Sequence, residues 1–176
     1  MKRNAGWFLL AAFLVAGAAN AQEAGPRGFR GMELGMALEP VKAKLAADAL
    51  FRFRGDPDVS LLPSPQQTLI ECAGVSWVRR AFSQFHEGRL FSIILVLDPR
   101  HLDHYTMFQT LSRKYGDPAR LDPAEAVWEF PGVRLSLERP LSVKYLDTGV
   151  FAALREQGKA GEALSELSQR MFLEEF

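Results

Sequence analysis

From Ala126 to Tyr145 the chain alternates apolar and polar residues with a period of two. Val133, Leu135 and Leu137 are separated by Arg134 and Ser136, with Glu138 after them. Leu141, Val143 and Tyr145 are separated by Ser142 and Lys144. Successive side chains of a strand point to opposite faces, so this pattern describes strands with one buried face and one wet face. Pro131-Gly132 and Arg139-Pro140 supply turns, which gives a three-stranded antiparallel meander that begins at Ala126–Phe130. An apolar sheet face must be covered by other elements of the chain.

An earlier hairpin extends the same theme. Arg79–Phe85 and Arg89–Leu97 flank His86-Glu87-Gly88, and a Gly in a short connection between apolar runs is a hairpin signal. Leu90–Leu97 is almost wholly apolar, as a strand buried along most of its length should be. Trp77, Ala81 and Phe85 recur every four residues, a spacing that also suits a helix, and continuity with the hairpin favours a strand. Thr68–Cys72 adds a short strand before it. Leu38, Val41, Leu45 and Ala49 form one stripe of a helix over Leu38–Leu50, with Glu39 and Pro40 in its first turn and the weak cap Ala37 before it. A second helix is expected from Asp103, its cap, to Tyr115, with Gly116-Asp117-Pro118 as the stop. A third runs from about Gly149 to Gln157. Proline density makes Phe51–Gln67 a loop, and its Val59, Leu61 and Leu62 either lie back on the core or face a partner. The fold class that follows is α+β: an antiparallel sheet with helices packed on one face.

The first 21 residues have the three-part layout of a secretory signal peptide. Lys2 and Arg3 are followed by an uncharged run from Trp7 to Ala19 and by Ala19-Asn20-Ala21. The run of about 13 residues falls short of the roughly 20 that span a bilayer, which weighs against the alternative of an N-terminal anchor. Cleavage near Ala21 takes two of the 21 cations and leaves 155 residues with a formal charge of −2. A periplasmic or secreted protein is expected, with no transmembrane segment after processing. Residues 22–30 read as a flexible lead-in, 31–157 as one α+β domain and 158–176 as a C-terminal helical tail. The balanced charge points away from nucleic acid, and the composition excludes a disulfide scaffold, a collagen-like chain and a wholly disordered chain. Cys72, the only cysteine, is expected to be buried rather than paired.

Two Gly-Asp-Pro tripeptides echo one another, with Leu50 seven positions before Pro57 and Leu111 seven before Pro118. The echo predicts two tandem helix-plus-strands units, against the alternative of a common helix terminator used twice. The run Gly35-Met36-Ala37-Leu38-Glu39-Pro40-Val41-Lys42-Ala43-Lys44-Leu45 resembles the start of small periplasmic domains of the SmpA/OmlA outer-membrane-assembly type. The two-unit layout is similar to the β-lactamase-inhibitor-protein fold. The family's Ser or Thr cap is Ala37 here, its Gly after the Leu is Ala46, and its lipidated Cys has no counterpart near the cleavage site. The resemblance implies a binding or assembly module rather than an enzyme.

Asp98, His101, Asp103 and His104 bring four potential metal ligands into seven residues. No metal-binding spacing of the His-Glu-x-x-His kind accompanies them, and Asp98 and Asp103 already read as a strand terminator and a helix cap. No catalytic residue and no cofactor is assigned. Arg79, Arg80, Arg134 and Lys144 either form a face for an acidic partner or sit in a mixed, solvated sheet face beside Glu129 and Glu138. The expected function is an exported, non-enzymatic binding or assembly module whose partner is another envelope protein. The alternatives are an inhibitor of a secreted or envelope enzyme acting through residues 59–65, with Val59, Leu61 and Leu62 as contacts, and a metal-dependent hydrolase.

Overall fold

The computed structural model describes residues 25–62 and 66–159. The meander forms as its periodicity predicts: β9 (Glu125–Phe130), β10 (Val133–Glu138) and β11 (Ser142–Asp147) pair antiparallel. The hairpin is β6 (Val78–His86) and β7 (Arg89–Leu97). Glu87 and Gly88 both have positive φ, 49° and 71°. Two such residues in a two-residue loop match the right-handed twist of the flanking strands. β6 is a strand despite its spacing of four because four is an even number. Ala81 and Phe85 therefore share one strand face, and both are buried.

With β3 (Phe51–Arg52), β4 (Val59–Leu61), β5 (Gln67–Gly74) and β8 (Arg120–Leu121), the sheet order is β3-β5-β6-β7-β11-β10-β9-β8, with β4 also on β5. β5 carries two short strands on one edge, β3 and β4. β8 borders β9. Each half of the chain supplies a helix and then a run of antiparallel strands, and the halves meet where β7 pairs antiparallel with β11. One continuous sheet results. The two Gly-Asp-Pro tripeptides precede the edge strands β4 and β8, and Gly55 and Gly116 share φ near 84° (85° and 83°). Only Gly116 ends a helix, so the echo marks edge-strand entry rather than helix termination.

Helix α1 (Leu38–Ala47) buries Val41 and Leu45, and α2 (His104–Tyr115) buries Leu111. Both cover the face that carries Ile70, Cys72, Ile93, Leu95, Trp128, Leu135 and Tyr145. Asp103 caps α2 as expected, accepting from the Thr106 N–H at 2.8 Å. Phe108 packs on Trp128 and Tyr115 on Phe130, with ring centroids 6.2 and 5.8 Å apart. The Trp128 indole N–H donates to the Gly116 carbonyl at 2.8 Å, which ties the end of α2 to the sheet.

Several expectations need correction. The lead-in assigned to 22–30 contains β1 (Gly28–Phe29), which pairs with β2 (Met32–Glu33), and Phe29 packs edge-on against Phe51. A two-residue strand is too short to show a period. Phe51–Gln67 is not a plain loop, since β3, a 3-10 turn at Asp56–Asp58 and β4 lie within it. α1 stops three residues early, where the Asp48 side chain turns back to accept from the Leu50 N–H. The third helix, α3, spans 148–159 and runs through Gly158, where a break was expected. Asp147 caps it by accepting from the Gly149 and Val150 N–H groups. α3 lies on the sheet face opposite α1 and α2, so the helices do not all share one face. The leader (1–21) and the helix expected from Glu162 lie outside the described residues. No helix among the described residues is long and apolar enough to cross a membrane.

Candidate functional site

The face away from α1 and α2 is assembled in cross-strand rows. Gln84, Ser92, Leu146, Arg134 and Glu129 lie side by side on β6, β7, β11, β10 and β9. Phe82, Ile94, Lys144, Ser136 and Val127 form the next row. A register shift on β7 places Leu90 opposite Phe85 and Ser92 opposite Gln84, so Phe91 is an extra residue. Such a bulge turns Phe91 to this outer face while Leu90 stays in the core.

α3 closes one side of a cleft of about 540 Å³ over these rows. Phe91, Ile94 and Leu146 make an apolar floor, and Phe151 and Leu154 of α3 make an apolar wall. The rim is charged. Lys144 Nζ donates to Glu138 at 2.7 Å, the Ser136 hydroxyl donates to the same oxygen at 2.8 Å, and Arg134 Nη2 reaches Glu129 at 3.2 Å. Arg134 and Lys144 thus occupy the wet positions that the alternation assigns them, and each is paired with a carboxylate of the same face. Arg155 also lines the cleft and makes no ion pair among the described residues.

Two polar atoms in these rows are buried without a partner: Ser92 Oγ, on a residue 1% exposed, and Arg134 Nε. Buried polar groups in folded proteins are nearly always hydrogen-bonded; Arg134 is among the residues that line the cleft, and Ser92 is not. Two other depressions each hold an ion pair. Between α1 and the turn at Val75–Trp77, Arg30 is already bound to Asp48. Beside β3 and β5, Arg54 grips the buried Asp58 and Arg80 pairs with Glu71 at 2.9 Å.

The four possible metal ligands are held apart in role. Asp98 receives the Arg100 guanidinium on both oxygens and the Arg100 N–H on one. Those bonds hold its carboxyl well below the usual carboxylate range. Asp103 accepts from the Thr106 N–H and hydroxyl. The His101 ring stands 3.7 Å from Asp98 and packs edge-on against Trp77. His104 Nε2 is buried without a partner, and burial pulls the ring's pKa down. Among the described residues no group of three or more His, Cys, Asp or Glu is placed to hold a metal ion.

Val59 packs against the core, Leu61 is 85% exposed, and Leu62 is half-buried. Arg79 and Arg80 are exposed on β6. Cys72 is buried, and burial, with Asp58 and Glu71 nearby, pushes its thiol up to about 11. Sequence reasoning placed Arg134 and Lys144 on one face but missed Phe91, Ile94 and Phe151. Ile94 read as one residue of an apolar run. Its place beside Lys144 depends on β7 lying beside β11, which no local pattern encodes.

Residues 27–157 match a family described as the TP0088 domain. No curated protein and no solved structure matches the chain.

Proposed function

The chain belongs to the TP0088 domain family, and from that starting point we propose that it is an exported, non-enzymatic binding module that engages another envelope component through the outer-face cleft. The observation that carries this reading is the cleft itself: an apolar floor and helical wall beside a charged rim that includes Arg134, Lys144 and Arg155. Binding sites combine an apolar lining with a few polar groups that fix orientation, and this cleft has that composition. The leader-like first 21 residues support export, and N-terminal sequencing of the protein recovered from cells should begin at or near Gln22.

The test is capture from envelope extract by the immobilised protein and by Phe151→Asp and Leu154→Asp variants with unchanged circular dichroism. A component enriched by the parent and lost with both variants supports the reading. Equal capture by all three, or capture of nothing above background, contradicts it.

A second reading is favoured by Leu61, a large apolar side chain 85% exposed on the edge strand β4. In that reading the chain inhibits a secreted or envelope enzyme through residues 59–65. Leu61→Asp would then abolish inhibition of envelope hydrolases, whereas Phe151→Asp would leave it intact. The metal-dependent hydrolase has the weakest support, because Asp98 and Asp103 spend their oxygens on Arg100 and Thr106.

A further inference from the structure

A separate depression of about 470 Å³ lies beside β3 and β5 and shares no lining residue with the outer-face cleft. Three of its residues form one cross-strand row: Arg52 on β3, Ala73 on β5 and Arg80 on β6. Neighbouring strands lie about 4.8 Å apart, so the two arginines start about 10 Å apart with only a methyl group between them. Arg54, two residues beyond Arg52, lines the same depression. Two of the three guanidiniums are held in place. Arg54 donates through Nε and Nη2 to Asp58, which also accepts the Arg54 backbone N–H at 2.8 Å. Asp58 is buried, so an exposed guanidinium is anchored on a carboxylate that folding has taken out of water. Burying a carboxylate is costly, and here it fixes the direction of a surface cation. Arg80 Nη1 pairs with Glu71 at 2.9 Å. Each guanidinium has five N–H donors, so Arg54 and Arg80 keep several after these contacts. Arg52 makes no ion pair among the described residues. Three cations against two carboxylates leave the depression at +1 with a surplus of donors, to which Ser60 adds a hydroxyl.

We propose that this depression binds a phosphate group, seated over Ala73 and held by the remaining N–H groups of Arg52, Arg54 and Arg80. Guanidinium-to-phosphate hydrogen bonds are among the strong ones, and arginine suits phosphate geometry. The donors come from three guanidiniums rooted at different points around the depression. A tetrahedral phosphate offers oxygens in three directions to meet them, whereas a planar carboxylate offers two. A soluble phosphomonoester and a lipid headgroup share this chemistry.

The test is calorimetric titration of the full chain with glycerol 3-phosphate at constant ionic strength, alongside arginine side-chain NMR spectra. Saturable one-to-one binding that shifts the Nε–H signals of Arg52, Arg54 and Arg80 supports the proposal. Arg52→Gln and Arg80→Gln should each weaken binding roughly tenfold. Arg79→Gln, a neighbour that does not line the depression, should leave it unchanged. Arg54 is kept in these variants, because its loss would strand the buried Asp58. Vesicles of phosphatidylcholine with and without phosphatidic acid separate the two sources. Retention on phosphatidic acid vesicles that Arg52→Gln abolishes places the phosphate on a lipid. Titration by glycerol 3-phosphate without such retention places it on a soluble monoester. Absence of both overturns the proposal, as does an affinity for succinate equal to that for glycerol 3-phosphate. An equal loss in Arg79→Gln also overturns it, by reducing the site to diffuse surface charge. Binding of a polyglutamate peptide in place of either phosphate probe overturns it in favour of an acidic protein segment.

Discussion

Replacing Ile70 by Ala asks whether the two halves of the chain share one core. Ile70 sits on β5 in the first half, 1% exposed, while Trp128 sits on β9 in the second half, 2% exposed. Several strands separate them, and both belong to one buried cluster that continues through Ile93 and Tyr145, neighbours across the β7–β11 junction. An Ile-to-Ala change at a fully buried site removes apolar contact and leaves a cavity, at a cost of about 2–5 kcal/mol. With a urea slope of roughly 2 kcal/mol per molar, the middle of the usual range, the midpoint should fall by roughly 1–2.5 M. The assay is urea unfolding followed by far-ultraviolet dichroism and by fluorescence. Trp7 and Trp77 are replaced by Phe in this experiment, so that Trp128 alone reports the second half. One shared core predicts that both signals move together. A Trp128 midpoint that stays put while the dichroism becomes biphasic would refute the single-core reasoning and show two units that unfold separately.

Other outcomes follow from individual contacts. Gly88→Val forces a β-branched residue into φ 71° at the hairpin tip and should lower stability by about 1–2 kcal/mol in the same urea assay; an unchanged midpoint would contradict the turn geometry. Cys72, buried and with its thiol pushed up to about 11, should leave a thiol reagent almost unreacted at pH 8 in the native state and titrate as one equivalent after unfolding; rapid native reaction would contradict its burial. Asp98 has a folded pKa below its ordinary 3.8 because Arg100 binds it, so it adds stability above that ordinary value which is lost as pH falls toward the folded pKa. Asp98→Asn should therefore be less stable than the parent at pH 6, and the gap should narrow in melts below about pH 4; a gap that is constant with pH would contradict the ion pair's role.

The parts of the fold legible in the sequence are those whose signal is local. β10 and β11 declare themselves by alternation, β7 by its apolar run, the hairpin tip by Glu87-Gly88, and α2 by Asp103 at one end and Gly116 at the other. β1, β3, β4 and β8 escape because two or three residues cannot show a period, and their pairing is with residues already committed elsewhere. The cleft escapes for a related reason. Phe91 reaches it only through a bulge, Ile94 and Lys144 become neighbours only because β7 joins β11, and Phe151 arrives on a helix whose cap, Asp147, is the last residue of a strand. Alternation placed Arg134 and Lys144 on the wet face, but the carboxylates that pair with them come into reach only once the strands are in register. The Asp98–His104 run shows the converse. Four possible ligands close in sequence do not share a centre: Asp98 holds Arg100, Asp103 caps α2, His101 packs on Trp77 and His104 is buried without a partner.

The central proposal is that the outer-face cleft is a binding surface. The most direct measurement is a methyl-resolved NMR titration of the full chain with the envelope component captured by the parent and lost in Phe151→Asp. Binding in the outer-face cleft predicts shifts at Ile94, Leu146 and Leu154, with Val59 and Leu61 unmoved. Shifts confined to Val59 and Leu61 would place binding at the β4 edge and contradict it.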